Sequence, residues 1–98
     1  MYRIFRIPPG QAAVLDALYK DDVVGRQSVT SREARSLGLA GDATLVLVEG
    51  SDAGVKRAEE MLKDVGASLT GTDAEAALRA FRAQDEEAAS GMGLIFGG

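Results

Sequence analysis

The run Ala43–Val48 (ATLVLV) constrains the fold more than any other part of this sequence. Aliphatic and β-branched residues fill it almost completely, and turn-forming residues bracket it at Gly41-Asp42 and Glu49-Gly50. A strand with one side in water alternates apolar and polar residues, and this run does not. It therefore predicts a central strand that is covered on both faces of its sheet.

Further β-type runs alternate with amphipathic runs along the 98 residues. We expect additional strands at 2–7, 23–29 and 67–70. Apolar residues recur at helical spacing over 11–20 and again after Ser51, which is suited to be the N-cap of a helix ending near Gly66.

Two segments match a capping box, in which a threonine and a glutamate three residues later satisfy each other's backbone N–H groups. Thr30-Ser31-Arg32-Glu33 predicts a short helix at about 31–37, closed by Gly38. Thr72-Asp73-Ala74-Glu75 predicts a C-terminal helix at about 73–89. Its apolar face consists of Ala74, Ala77, Leu78 and Phe81.

The order of these elements favours one α+β domain over residues 1–90, followed by an apolar, glycine-flanked tail over 91–98. A shift of the sequence by about forty residues lays strand on strand and helix on helix, which suggests two βαβ halves. We expect a ferredoxin-like βαββαβ sandwich with a short inserted helix (about 31–37) and an added C-terminal helix (about 73–89). One face of such a sheet carries the helices, and a partner, a ligand or an appended helix covers the other.

Missing residue types restrict the chemistry of this chain. It has no cysteine and no histidine, which excludes thiolate and imidazole metal sites, thiol catalysis and serine–histidine triads. The glycines form neither a dinucleotide-binding nor a P-loop pattern after a strand. We therefore predict no catalytic residue, no cofactor and no metal ligand, and expect that the chain is not an enzyme.

The charge distribution limits the partners that we expect. Residues 1–40 carry six basic and four acidic side chains, whereas residues 41–98 carry five and eleven. This acidic second half argues against nucleic acid, and only Tyr2 and Phe5 on the first strand are placed to stack on bases. No apolar run is long enough for a membrane span, and Arg3 and Arg6 interrupt the first one, so we expect a cytoplasmic protein without a membrane partner.

The tail gathers apolar residues between glycines, and these are our candidate interaction residues: Met92, Leu94, Ile95 and Phe96. As an extended peptide, the tail would add to a sheet edge or fill a groove on its own domain, a second copy or another protein. The alternative is that it folds back over its own sheet. The sequence thus predicts a non-enzymatic protein-interaction or oligomerisation module whose partner is another protein or itself.

Two further interpretations stay open. The chain ends in Gly97-Gly98, which resembles the terminal diglycine of ubiquitin-like modifiers and sulfur carriers, whose carboxylate is activated by adenylation. A second alternative is a weak calcium or small-ligand-sensing domain. Its candidate carboxylates stand at the ends of predicted elements: Asp21, Asp22, Asp42, Glu49 and Asp52.

Overall fold

The computed structural model describes the backbone of residues 1–11 and 13–97 and the side chains of residues 1–11, 13–66 and 68–85. Over these residues the chain forms a small mixed α/β domain. Its elements in chain order are β1 (Tyr2–Ile7), α1 (Ala13–Lys20), β2 (Ser28–Glu33), β3 (Thr44–Glu49), α2 (Asp52–Leu62), β4 (Ala67–Ser68) and α3 (Gly71–Gly97). Single turns of 3₁₀ helix lie at Val24–Arg26 and Ala34–Leu37.

The sheet has the strand order β2-β3-β1-β4, and every neighbouring pair is antiparallel. Three strands have six residues each, while β4 adds two residues at the edge of β1. The prediction of a central strand is confirmed, since β3 lies between β2 and β1 and Leu45–Val48 are all buried.

Alternate residues of the strands supply two separate hydrophobic clusters, one on each face of the sheet. Phe5, Val46 and Val48 pack with Leu18 of α1 and Leu62 of α2. On the opposite face, α3 and the 3₁₀ turn at Ala34–Leu37 cover a second cluster, whose buried strand residues are Ile4, Leu45 and Leu47. The domain therefore has three layers, and the apolar character of β3 at successive positions follows from burial on both sides.

The segment between α1 and β3 differs from the prediction. Residues 24–26 form a 3₁₀ turn, and β2 begins at Ser28 and continues to Glu33, through the predicted capping box. Pairing decides the outcome, because Thr30 lies opposite Leu47 and Glu33 opposite Thr44 in the sheet. The predicted helix at about 31–37 is therefore reduced to one turn, which Gly38 closes with a φ of 77°.

The N-terminus of α2 is capped twice. Ser51 Oγ accepts the Gly54 N–H at 3.1 Å, which confirms Ser51 as the N-cap. Gln27 Oε1 accepts the Ser51 N–H at 2.9 Å, while Gln27 Nε2 donates to the Val23 carbonyl at 3.0 Å. Gln27 thus joins the turn after α1 to the start of α2, and α2 itself ends at Leu62 rather than near Gly66.

The C-terminal helix is longer than the sequence predicts. It begins at Gly71 and runs to Gly97, so the backbone of the predicted tail over 91–97 continues the helix, glycines included. A glycine costs a helix only about 1 kcal/mol relative to alanine. The side chains of Met92, Leu94, Ile95 and Phe96, and all of Gly98, lie outside the described residues. None of the helices in the described range is long and apolar enough to cross a bilayer.

Gly66, in the turn between α2 and β4, lies so close to β1 that a side chain does not fit. A Cβ atom there would stand 2.8 Å from the Arg6 carbonyl oxygen and 2.9 Å from Ile7 Cδ1. We expect Gly66→Ala to lower the free energy of unfolding by about 1–3 kcal/mol, because backbone must shift to relieve the overlap. Urea unfolding measures this loss, with Ser68→Ala, at an exposed position in β4, as the control. Equal stability of the two variants would contradict the close approach.

Candidate interaction surface

The first half of α3 covers the sheet face opposite α1 and α2. Ala74, Ala77 and Phe81 are buried against it, and Phe81 is only 3% exposed. These residues belong to the apolar face predicted from helical spacing. The sheet face is thus occupied by the chain's own helix.

Polar contacts hold α3 at three points near its middle. Arg82 Nη2 lies 2.7 Å from Glu49 Oε2 at the end of β3, and this hydrogen bond raises the pKa of Arg82. Gln84 donates from Nε2 to the Ser36 carbonyl at 2.6 Å and accepts from Arg32 Nε at 3.2 Å. The helix is therefore fixed to the domain as far as Gln84, about half-way along its length.

The two aromatic residues of β1 are not presented for stacking. Phe5 is 2% exposed in the cluster under α1 and α2, and Tyr2 packs on the cluster under α3. In the part of the chain with described side chains, the exposed large apolar residues are Met1, Tyr19 and Val23. Tyr19 has its hydroxyl 3.4 Å from Ser31 Oγ. These positions offer no aromatic platform on the sheet.

The candidate carboxylates for a cation do not converge. No group of three acidic side chains suited to hold a metal occurs among the residues that the structure describes. Two of the five already have cationic partners, since Asp21 Oδ1 lies 3.2 Å from Arg57 Nη2 and Glu49 is paired with Arg82. The geometry gives the cation interpretation no site in this range.

Asp21 instead organises the turn that follows α1. Its Oδ2 accepts the N–H groups of Val24 at 3.0 Å and of Val23 at 3.1 Å. The Val24 N–H does most to lower the pKa of Asp21; partial burial opposes the shift, and Arg57 adds to it. This carboxylate therefore explains why residues 23–26 turn instead of extending as a strand.

Shallow clefts flank Arg3, near the start of β1, where β4 does not extend far enough to pair with the first residues of that strand. One of about 330 Å³ lies towards the start of α3, and one of about 470 Å³ lies towards α2. Arg3 lines both, and its Nε stands 2.6 Å from Glu59 Oε1. The guanidinium is thus already neutralised by an acidic side chain of the same domain.

Comparison with protein-family models, with curated proteins and with solved structures gives no match for this chain.

Sequence reasoning found the face of α3 but missed the contacts that fix the helix. Arg32 and Gln84 are 52 residues apart, and Gln84 and Ser36 are 48 apart. Hydrophobic periodicity carries no signal for such pairs. Arg32 also lies within Thr30–Glu33, whose capping-box pattern predicts the start of a helix instead of a strand.

Phe81 tests the covering of the sheet by α3. We expect Phe81→Ala to lower the free energy of unfolding by about 3–5 kcal/mol, because it removes a buried aromatic ring from the second cluster. Chemical denaturation measures the loss, and binding of a hydrophobic dye reports exposure of the sheet. The control is Arg79→Ala, at an exposed position of the same helix. If both variants unfold alike, α3 does not cover the sheet in solution.

Asp21 tests the turn through its pH dependence. Its folded pKa lies below the unfolded value, so ionised Asp21 stabilises the fold above the unfolded pKa and loses this effect as the pH falls through the folded one. Asp21→Asn should therefore be less stable than the parent at pH 7, and the difference should narrow as the pH falls from about 5 towards 2, through the ordinary carboxyl pKa and below it. Denaturation across this range checks the convergence, with Asp22→Asn as the matched control. A pH-independent difference would contradict a charge effect.

Proposed function

We propose that this chain is a cytoplasmic, non-enzymatic module that associates with a second copy of itself through the C-terminal half of α3. The observation that carries this proposal is the length of α3. Its 27 residues correspond to about 40 Å of helix, whereas a six-residue strand spans about 20 Å. Contacts up to Gln84 suffice to cover the sheet, and the helix continues for more than three turns beyond.

Residue spacing supports the same surface. Ala88, Met92 and Ile95 follow Phe81 at intervals of seven, four and three residues, which continues one helical face. Phe96 follows Met92 at four residues and continues the pattern, whereas Leu94, two residues after Met92, falls on the opposite side of a helix. A helix face of this kind pairs with a second helix or enters a groove by placing its apolar anchors at three- and four-residue intervals.

We also propose that the core is a ferredoxin-like βαββαβ sandwich. The strand order β2-β3-β1-β4 and the packing of α1 and α2 on one sheet face support this assignment. Within such a fold the second sheet face is the usual place for a ligand or partner. Here α3 fills that face, so association is expected on the part of α3 beyond it.

Light scattering over a range of concentrations tests the proposal with the full chain and with a version that ends at Ser90. We expect a dimer for the full chain and a stable monomer for the shortened one, which retains every described contact of α3. A full-length variant with serine at 92, 95 and 96 separates loss of apolar contact from loss of length. Its matched control carries serine at the exposed positions Ala76 and Ala83.

The oligomeric state and the melting temperature together distinguish the other outcomes. A monomeric full chain at every concentration overturns self-association. If the shortened chain also melts well below the parent, residues 91–98 stabilise their own domain. A dimer that persists in both the shortened chain and the serine variant would place the interface elsewhere.

A further inference from the structure

The outer side of β2, an edge strand of the sheet, is a second candidate surface. Leu69 donates to the Ile4 carbonyl, so even-numbered residues of β1 direct their backbone groups to β4 and odd-numbered ones to β3. The odd-numbered residues of β1 pair with even-numbered residues of β3, so odd-numbered residues of β3 direct their backbone groups to β2. Even-numbered residues of β2 lie opposite these. The odd-numbered residues of β2 therefore direct their backbone groups away from the sheet: Val29, Ser31 and Glu33.

Side chains of the domain occupy two of these outward carbonyls. Arg32 Nη1 donates to the Ser31 carbonyl at 2.7 Å, and Ser36 Oγ donates to the Glu33 carbonyl at 2.9 Å. An edge strand with unoccupied backbone groups is a template for another strand, and proteins commonly block such edges with charged side chains. The contacts on β2 match this form of protection.

Gln84 of α3 holds the blocking group in place. Its Oε1 accepts Arg32 Nε at 3.2 Å, while its Nε2 donates to the Ser36 carbonyl at 2.6 Å. Arg32 therefore lies between the edge that it covers and the helix that positions it. We call the three side chains of Arg32, Gln84 and Ser36 the edge clasp.

We propose that Arg32 guards the β2 edge, and that its release lets β2 pair antiparallel with β2 of a second copy. The strand is compatible with itself about Ser31. In that register Ser31 meets Ser31 and Val29 meets Glu33, so each outward residue of one copy faces an outward residue of the other. Thr30 lies opposite Arg32, and no like charges stand directly opposite each other.

Arg32→Ala in the full chain tests the guard, with Arg35→Ala, at an exposed arginine just beyond the strand, as the matched control. We expect Arg32→Ala to associate about tenfold more tightly than the parent in sedimentation velocity, because pairing no longer breaks a charge-assisted hydrogen bond. Arg35→Ala should behave as the parent. Gln84→Ala should shift association in the same direction by less, because Arg32 remains but is no longer held.

Amide hydrogen exchange locates the new interface and separates it from α3. In associated Arg32→Ala, the amides of Val29, Ser31 and Glu33 should become protected, whereas association through α3 leaves them unchanged. Adding Ser31→Pro, which removes an outward N–H without touching a bond to β3, should reverse the association. Unchanged association of Arg32→Ala, or tighter association without protection of the Ser31 amide, overturns the proposal.

Discussion

The structure depends on the burial of β3 on both faces of the sheet. Leu45 and Leu47 point to one side and Val46 and Val48 to the other, so a single helical layer would leave half of the strand in water. Burial of one such side chain contributes about 1.5–3 kcal/mol, which is a large part of the stability of a domain this size. The chain must therefore supply a second layer, and α3 is that layer.

This requirement limits what the domain can offer to a partner. The face of α3 that carries Ala77 and Phe81 is committed to the sheet, and Arg82 and Gln84 fix the helix to β3 and to the turn after β2. Other surfaces of the described domain include the outer faces of α1 and α2 and the β2 edge of the sheet. Some charged side chains of the described surface are paired within the domain, as at Asp21–Arg57 and Arg3–Glu59.

Sequence patterns predicted those parts of the fold in which local preference and tertiary packing agree. The central strand, the N-cap at Ser51 and the apolar face of α3 are of this kind. The prediction for the segment from Val23 to Glu33 was wrong at both ends. Local hydrogen bonds of Asp21 and Gln27 bend its start, and pairing with the distant strand β3 extends its end. The interaction residues at 92–96 follow from composition and stay a prediction, whereas the β2 edge had no sequence signal because Arg32 resembled part of a helix cap.

The first half of α3 is held to the domain by the buried ring of Phe81 and by the surface hydrogen bonds of Gln84, and these two kinds of contact differ in energy. A hydrogen bond at the surface contributes about 1 kcal/mol, whereas removal of a buried phenylalanine costs about 3–5 kcal/mol. The edge clasp can therefore open while Phe81 keeps α3 on the sheet, since breaking the Gln84 contacts does not undo the second layer. Gln84 stands half-way along α3 and is the last residue of the helix with a described side-chain contact to the domain. In the proposed pairing, loss of its contact with Arg32 would therefore change access to β2 without loss of the second layer. In that proposal a weak surface contact, rather than the core, stands between the sheet edge and a second strand.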